Sequence, residues 1–408
     1  MRLSVWLGIV LLCAACAQQP VLTGLDRVGE YAELFQGKRI GIVTNHTAYD
    51  SKGQHIADVF AAMPQVQVTA LFGPEHGIRG DAEAGADIDS SKDITRKVPV
   101  FSLYGRTTKP TPEMLENVDV LVFDIQDVGA RFYTYIWTMA RCMEAAAENG
   151  KVFVVLDRPN PINGRDVQGN ILEMEYATFV GLYPIPVRHG MTIGELAQMF
   201  NGEGWLAGGV KADVHVVSMQ GWRRDMWFDQ TGLQFRAPSP NIPDFATTVV
   251  YTGTCLFEGV NISEARGTLQ PFMQFGAPWL ESRRLADALN GLQLAGVRFK
   301  PIEFTPLDIP GKAMNPKYEN QVCSGLRLEV TDRDVFYPYL SAIRMLMTIK
   351  SISGDSLTWR SNHFDRLCGA GEVRRIISTN GNIDSLRQSW QQGINQFILQ
   401  RERYLLHQ

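Results

Sequence analysis

Several kinds of site chemistry are missing from this sequence. It has no G-x-G-x-x-G and no G-x-x-x-x-G-K-[ST], which argues against a dinucleotide or nucleotide-phosphate site. It has no G-x-S-x-G elbow and no H-E-x-x-H, so serine-hydrolase and zinc-protease chemistry lack their signatures. The histidines at 46, 55, 76, 189 and 215 lack zinc-ligand spacing, and no metal or other cofactor is expected. Charge of one sign is scarce as well. The net charge is −4 with no basic run, so the basic face that a nucleic-acid partner needs is absent. Heptad, glycine and solenoid periods are absent, which leaves an ordinary globular chain.

Cysteine is sparse, six in 408 residues. Cys142, Cys255, Cys323 and Cys368 are scattered without metal-ligand spacing and read as buried free thiols. Cys13 and Cys16 have C-x-x-C spacing, but inside a hydrophobic export signal, where a redox pair is out of place. Arg2 precedes an apolar run from Leu3 to Ala15, too short to span a bilayer comfortably and suited to a signal peptide over residues 1–16. Ala14, Ala15 and Cys16 resemble a bacterial lipobox, with Cys13 where Leu is usual. This predicts lipidation of Cys16, with plain cleavage after Ala17 as the competing outcome. Ala17 lacks the Asp that retains lipoproteins in the inner membrane, so the expectation is an outer-membrane anchor facing the periplasm.

What is present is a long chain, 45% hydrophobic and 20% charged, enough for a large core and two domains. From Lys38 to about Ser218, buried-looking runs at 39–44, 66–72, 98–103, 118–124 and 152–157 alternate with helical segments at 53–63 and 132–149. Thr111-Pro112-Glu113 predicts a helix start, and Thr192-x-x-Glu195 a capping box for a helix ending at Asn201-Gly202. The rhythm predicts an α/β fold, a Rossmann-like parallel-sheet domain over 22–238. Prolines at 238, 240 and 243 mark a boundary. A smaller α+β domain follows over 239–408, loop-rich to Pro278, then with a helix at 281–290 and strands at 297–304 and 326–331.

In open parallel sheets, ligands bind beyond the carboxyl ends of the strands. Here the first strand is followed by Asn45-His46-Thr47 and the second by Gly73-Pro74-Glu75-His76-Gly77-Ile78-Arg79. The fourth ends in Asp124-Ile125-Gln126-Asp127, leading to Arg131, and the fifth in Asp157-Arg158-Pro159-Asn160. Any one of these polar residues could be structural. Four strand ends loaded in the same way predict a site, and carboxylate chemistry, above all glycoside hydrolysis, is what the absences leave.

The segments GPEHGIRGDAEAG (73–85), FDIQDVGARFYTY (123–135), LDRPNPING (156–164), YPIPVRHGMTIGELA (183–197), GWRRDMWFD (221–229), SPNIP (239–243) and CLFEGVNISEARGT (255–268) closely resemble the exo-β-N-acetylmuramidase family. The resemblance runs in order from about Gly24 to Leu406. It implies a Rossmann-like catalytic domain, a smaller C-terminal domain, a cleft between them, and exolytic release of N-acetylmuramic acid (MurNAc) from MurNAc–GlcNAc chains. Ala265 stands where the family pattern has a second glycine.

Glu75, at a strand end, is the candidate general acid/base, a role the resemblance also implies; an N-cap or a buried ion pair is the competing reading. Asp124 and Asp127 are candidates for the second group, unless the substrate's own 2-acetamido group takes that part. Arg131, Arg158 and Arg188 are candidates to hold the lactyl carboxylate of MurNAc, or else to pair with Asp127 or Asp157. Asn45, His76, Arg79, Asp157 and His189 complete the first domain's candidates for substrate binding. From the second come Glu258, Asn261, Ser263, Glu264 and Arg266, on a polar loop able to contact the sugar. Trp222, Trp227 and Trp279 are candidates for sugar stacking or for core. A non-catalytic muropeptide-binding lipoprotein on the same scaffold is the main alternative, and an endo-acting muramidase would share the chemistry.

Overall fold

The computed structural model describes residues 20–79, 91–92 and 98–408. The proposed signal sequence and Cys16 lie outside them, as does the part of the 73–85 motif beyond Arg79. The first domain is built on β1 (Arg39–Thr44), α1 (Ile56–Ala62), β2 (Gln67–Gly73), β3 (Ser91–Lys92), β4 (Pro99–Ser102) and β5 (Val120–Asp124). α2 (Tyr135–Glu148), β6 (Val152–Leu156), the hairpin β7 (Gln168–Ile171) and β8 (Pro186–Arg188), α3 (Ile193–Gly202) and β9 (Asp213–Val217) complete it. The sheet order is β3-β4-β2-β1-β5-β6-β9, with six parallel strands and β3 antiparallel at the edge.

The strands read as near-continuous apolar runs because both faces are covered. Ile40 and Ile42 of β1, Val120 and Val122 of β5, and Val154 and Leu156 of β6 pack on one layer with Ile56, Ala57 and Phe60 of α1. The alternate residues Val43, Leu121, Phe123, Phe153 and Val155 pack on the other, against α2, α3 and the second domain. This period-two partition gives the sheet its two cores and leaves the carboxyl ends of the strands as one polar rim.

Three local expectations need correction. Thr111-Pro112 opens only a single 3₁₀ turn, Glu113–Leu115, because Leu115 and Val118 drop into the core and β5 begins at Val120. The long helix starts at Tyr135 rather than Phe132, since Arg131 donates its backbone N–H to Val187 O and Tyr133 donates to Ala130 O in a preceding turn. The stretch expected to be loop-rich contains α4 (Phe245–Thr254), capped by the Asp244 side chain on the Thr247 N–H. Its sequence, FATTVVYTGT, is rich in β-branched residues that favour strands, and burial overrides that preference. The capping box at Thr192 and Glu195 forms as expected.

In the second domain, β10 (Gln274–Ala277), β11 (Val297–Phe304) and β12 (Cys323–Val330) form an antiparallel sheet in the order β10-β12-β11. Around it lie α5 (Ser282–Gly291), α6 (Pro338–Ser353), α7 (Ser361–Cys368), α8 (Glu372–Ser378) and α9 (Ile383–Arg401). The chain end returns to the first domain: Arg401 donates to Gly190 O at 2.8 Å, Leu406 N–H to Glu195 Oε1 at 3.0 Å, and His407 Nε2 lies 3.0 Å from Asp157 Oδ2. Cys142, Cys255, Cys323 and Cys368 are buried free thiols.

Candidate active site

A cavity of about 280 Å³ opens where the turn after β2 meets the second domain. Glu75, His76, Tyr104, Tyr133 and Thr134 line it from the first domain, and Tyr251, Glu258, Arg266, Phe272 and His363 from the second. The turn that carries Glu75 is tight: Gly77 N–H donates to Pro74 O at 2.9 Å, and both His76 (φ +69°) and Gly77 (φ +71°) are left-handed. A non-glycine residue held in that region costs of order 1 kcal/mol and persists only where its surroundings enforce it. Buried His76 is so held, and Glu75 beside it is half-buried, facing the cavity. Thr134, in the turn that delays α2, donates its hydroxyl to Glu75 Oε2 at 2.6 Å. The carboxyl is thereby fixed through one oxygen.

The ends of β5 and β6 do something else. Asp124 is fully buried and held by both arms of Arg158, through Nε to Oδ1 and through Nη2 to Oδ2 at 2.9 Å. Asp157 is also fully buried; it accepts from the Thr192 hydroxyl at 2.9 Å and the Gly194 N–H at 2.8 Å, capping α3. Arg131 is completely buried and serves backbone carbonyls: Asn170 O at 2.8 Å, Ile185 O at 2.9 Å and Cys368 O. Arg188 binds Ile162 O, sits 3.3 Å from Asp166 and lies over Trp227. Burial lowers both Arg131 and Arg188 to about 10, and each remains cationic at neutral pH. Neither Asp124 nor any of these three arginines lines the cavity with Glu75, so their contacts tie the scaffold together.

Asp127 occupies an intermediate position. Its Oδ2 accepts from Gly129 N–H at 2.7 Å, whereas its buried Oδ1 has no partner among the described residues. Burial pushes its pKa up to about 7. His189 lines the same small space, of about 10 Å³, with an orphaned Nε2. Burial and the nearby Arg401 and Arg188 lower His189 to about 3, keeping it neutral. The space has two polar partners for one water, behind rather than in the Glu75 cavity.

Asn45 folds its turn, accepting from the Thr47 N–H at 2.9 Å and hydroxyl at 2.6 Å. Asn261 likewise ties a loop, to Ser356 O and Thr358 N–H. Arg79 is exposed and does not line the cavity. Trp222 packs against His407, Trp227 donates to Asp334, and Trp279 donates to the Tyr318 hydroxyl; none lines the cavity.

The second-domain loop delivers its charges as a cluster. Arg266 donates to Glu258 Oε1 through Nη2 at 2.6 Å and Nε at 3.2 Å, and Glu264 is shared between Arg266 (3.5 Å) and Lys317 (3.0 Å). His363 Nε2 lies 3.8 Å from Glu258 Oε2. Burial alone would raise Glu258, but Arg266 and His363 more than offset it and hold it down at about 2. Ala265 is left-handed (φ +62°), the conformation that makes glycine the favoured residue there.

Sequence reasoning therefore located Glu75, His76, Glu258 and Arg266, which the fold brings together. It missed Thr134, Tyr104, Tyr251 and His363. Thr134 and Tyr251 belong to elements whose starts or existence the sequence misplaced, and nothing local marks Tyr104 or His363. Among the described residues no group of three or more His, Cys, Asp or Glu is placed to hold a metal ion.

Comparison with known proteins follows the same two-part division. Residues 40–246 match the family model described as exo-β-N-acetylmuramidase NamZ, N-terminal, and residues 249–407 match its C-terminal counterpart. The chain is 47% identical over 394 residues to the peptidoglycan β-N-acetylmuramidase NamZ of Bacillus subtilis strain 168, covering 96% of this chain and 92% of that protein. Two crystal structures of DUF1343 family proteins from Bacteroides fragilis superpose with TM-scores of 0.87 and 0.79 at 36% and 34% identity. They cover 95% and 96% of this chain and 99% of each of those chains.

Proposed function

The chain belongs to the exo-β-N-acetylmuramidase family, and from that premise we propose that Glu75 is the general acid of its reaction. The protein is a glycoside hydrolase that releases MurNAc from the non-reducing ends of peptidoglycan fragments. The observation that carries the assignment is the Glu75 carboxyl, fixed by Thr134 inside a recess that the second domain closes. A recess of about 280 Å³ suits a terminal sugar better than the middle of a chain, in keeping with exo action.

In this reading Glu75 protonates the glycosidic oxygen as the C1–O bond breaks, leaving positive charge on the ring carbon and oxygen. Glu258, held ionised beside Arg266, is the anionic carboxylate of the same cavity and stabilises that charge. It takes the place the sequence had offered to Asp124, which is committed to Arg158, and to Asp127, which lies outside the cavity. Water then completes hydrolysis at C1, and the proton it loses restores Glu75. Tyr104, Tyr251 and Phe272 supply aromatic walls for the sugar.

The test is hydrolysis of 4-nitrophenyl β-MurNAc and of the disaccharide MurNAc–GlcNAc by wild type and Glu75→Gln. Loss of ~10²-fold or more in kcat on the disaccharide, with the fold intact, supports the assignment. A fully active variant overturns it, and a wild type inactive on both would favour a muropeptide-binding protein.

We also propose that the chain is exported and held by lipid on Cys16. Its support is Arg2, the apolar run to Ala15 and the small residues before Cys16. Expression with a radiolabelled fatty acid should label the wild type and leave Cys16→Ala unlabelled and soluble. Equal membrane retention of both would count against the anchor.

A further inference from the structure

MurNAc differs from N-acetylglucosamine by its lactyl ether, which carries a carboxylate at neutral pH, and a muramidase can recognise its sugar through that group. We propose that Arg266 is the specificity determinant, taking the lactyl carboxylate on the Nη1 side of its guanidinium. The inference rests on the muramidase reading above and deepens it.

Arg131, Arg158 and Arg188, the arginines nearest the loaded strand ends in sequence, are committed to backbone carbonyls and to Asp124 and Asp166. Arg79 follows Glu75 by one helical turn's length of chain but lies exposed outside the recess. Among the described residues that line the Glu75 cavity, Arg266 carries the only guanidinium. A substrate held with its glycosidic oxygen at Glu75 therefore meets one arginine.

The geometry of that arginine suits a second carboxylate. Nε and Nη2 are taken by Glu258 Oε1, and the ring of Phe272 lies 5.0 Å from Cζ. The guanidinium plane is thus fixed from its edge and its face before a ligand arrives, so little rotamer entropy is left to lose on binding. No hydrogen bond to a described residue occupies Nη1. Electrostatics do not forbid a second anion. Lys317 offsets Glu264 and Arg266 offsets Glu258. Flanked by Glu258 and Glu264, the guanidinium is held more firmly charged than usual despite its burial. An ionised donor in a water-poor recess makes a stronger contact to a carboxylate than to a neutral group.

The arrangement also explains why Arg266 is braced. Gly267 is left-handed (φ +81°), and a Cβ there would come within 2.4 Å of Leu307 O. Only glycine fits at 267, beside the left-handed Ala265, so the turn that carries Arg266 is tightly packed against Leu307.

The test compares three 4-nitrophenyl β-glycosides on wild type, Arg266→Lys and Arg266→Gln: MurNAc, MurNAc with its lactyl acid converted to the primary amide, and N-acetylglucosamine. Wild type should prefer the acid to the amide by ~30-fold or more in kcat/KM, chiefly through KM. Arg266→Gln should slow both glycosides, because it strands Glu258, and should also shrink the acid-to-amide ratio to within about 3-fold, with Arg266→Lys between. An unchanged acid/amide ratio in Arg266→Gln overturns the inference. So does an equal loss on acid and amide, which would make Arg266 only the brace of Glu258. Because Arg266→Gln strands Glu258, which itself serves the reaction, calorimetric binding of free MurNAc and of its lactyl amide provides the same comparison without turnover: a preference for the acid that survives Arg266→Gln overturns the inference. Wild type inactive on every glycoside would instead overturn the hydrolase reading and this inference with it.

Discussion

The end of β2 and the ends of β5 and β6 sit on one rim of the same sheet and carry similar side chains, yet they differ in how those side chains are satisfied. At β5 and β6, Asp124, Asp157 and Arg158 are buried and hydrogen-bonded on nearly every oxygen and nitrogen. At β2, Glu75 is half-buried and faces a cavity, with one oxygen fixed by Thr134. Saturated polar groups hold a scaffold still, because breaking any one contact strands a buried partner. Reaction needs a group that faces the space a substrate can enter, as Glu75 does. Residue type does not separate the two cases; placement against the cavity does.

Four substitutions sharpen or break this contrast. Glu75→Gln should cost ~10²–10⁴-fold in kcat on MurNAc–GlcNAc per folded molecule, because the cavity loses its proposed acid. Asp124→Asn should do the reverse. It leaves Arg158 buried without a counter-charge, and about 3–5 kcal/mol of stability should be lost in denaturant melts, with kcat per folded molecule nearly kept. If Asp124→Asn instead abolishes turnover in a fully stable protein, the division between scaffold and chemistry is misplaced.

Asp127 lies between these extremes, and pH resolves it. Its folded pKa, about 7, is raised above the ordinary 3.8, so its contribution to stability is fully present below about pH 4 and is lost as pH rises through about 7. Asp127→Asn should therefore have a smaller fall in Tm between pH 4 and 7 than wild type and should be the more stable of the two at pH 8. Identical Tm–pH profiles would mean that Asp127 is not strained by burial. His189, lowered to about 3, acts in the opposite direction over pH 6.5 to 3, so the difference between the two profiles, not either alone, is the diagnostic. The smallest effect is expected at Ala265. Replacement by glycine relieves its left-handed backbone and should raise stability by about 1 kcal/mol, readable in urea melts, without altering kcat.

Much of the first domain was legible because its strands are buried on both faces and read as unbroken apolar runs. The pattern RIGIVT corresponds residue for residue to β1, and the Thr192 capping box starts α3 where its local hydrogen bonds require. Legibility failed where burial overrode propensity. FATTVVYTGT looks like strand or loop and is a helix because most of its residues are packed inside. The site was half legible for a related reason. Glu75 follows a strong strand and a Gly-Pro turn, which place it at the rim without reference to anything distant. Thr134 reaches it from 59 residues away, and His363 approaches the same cavity from α7 in the other domain.

The sequence by itself determined the parallel sheet, the polar rim at its carboxyl edge and the family, because these depend on local periodicity and contiguous motifs. Only the tertiary structure decided which carboxylates face the cavity. It pairs Asp124 with Arg158 across 34 residues, sends Arg131 to carbonyls of both domains, and brings Glu258 and Arg266 to the cavity of Glu75. Whether a charged group braces or reacts depends on the partners that folding supplies, and those partners lie too far along the chain for any local pattern to encode them.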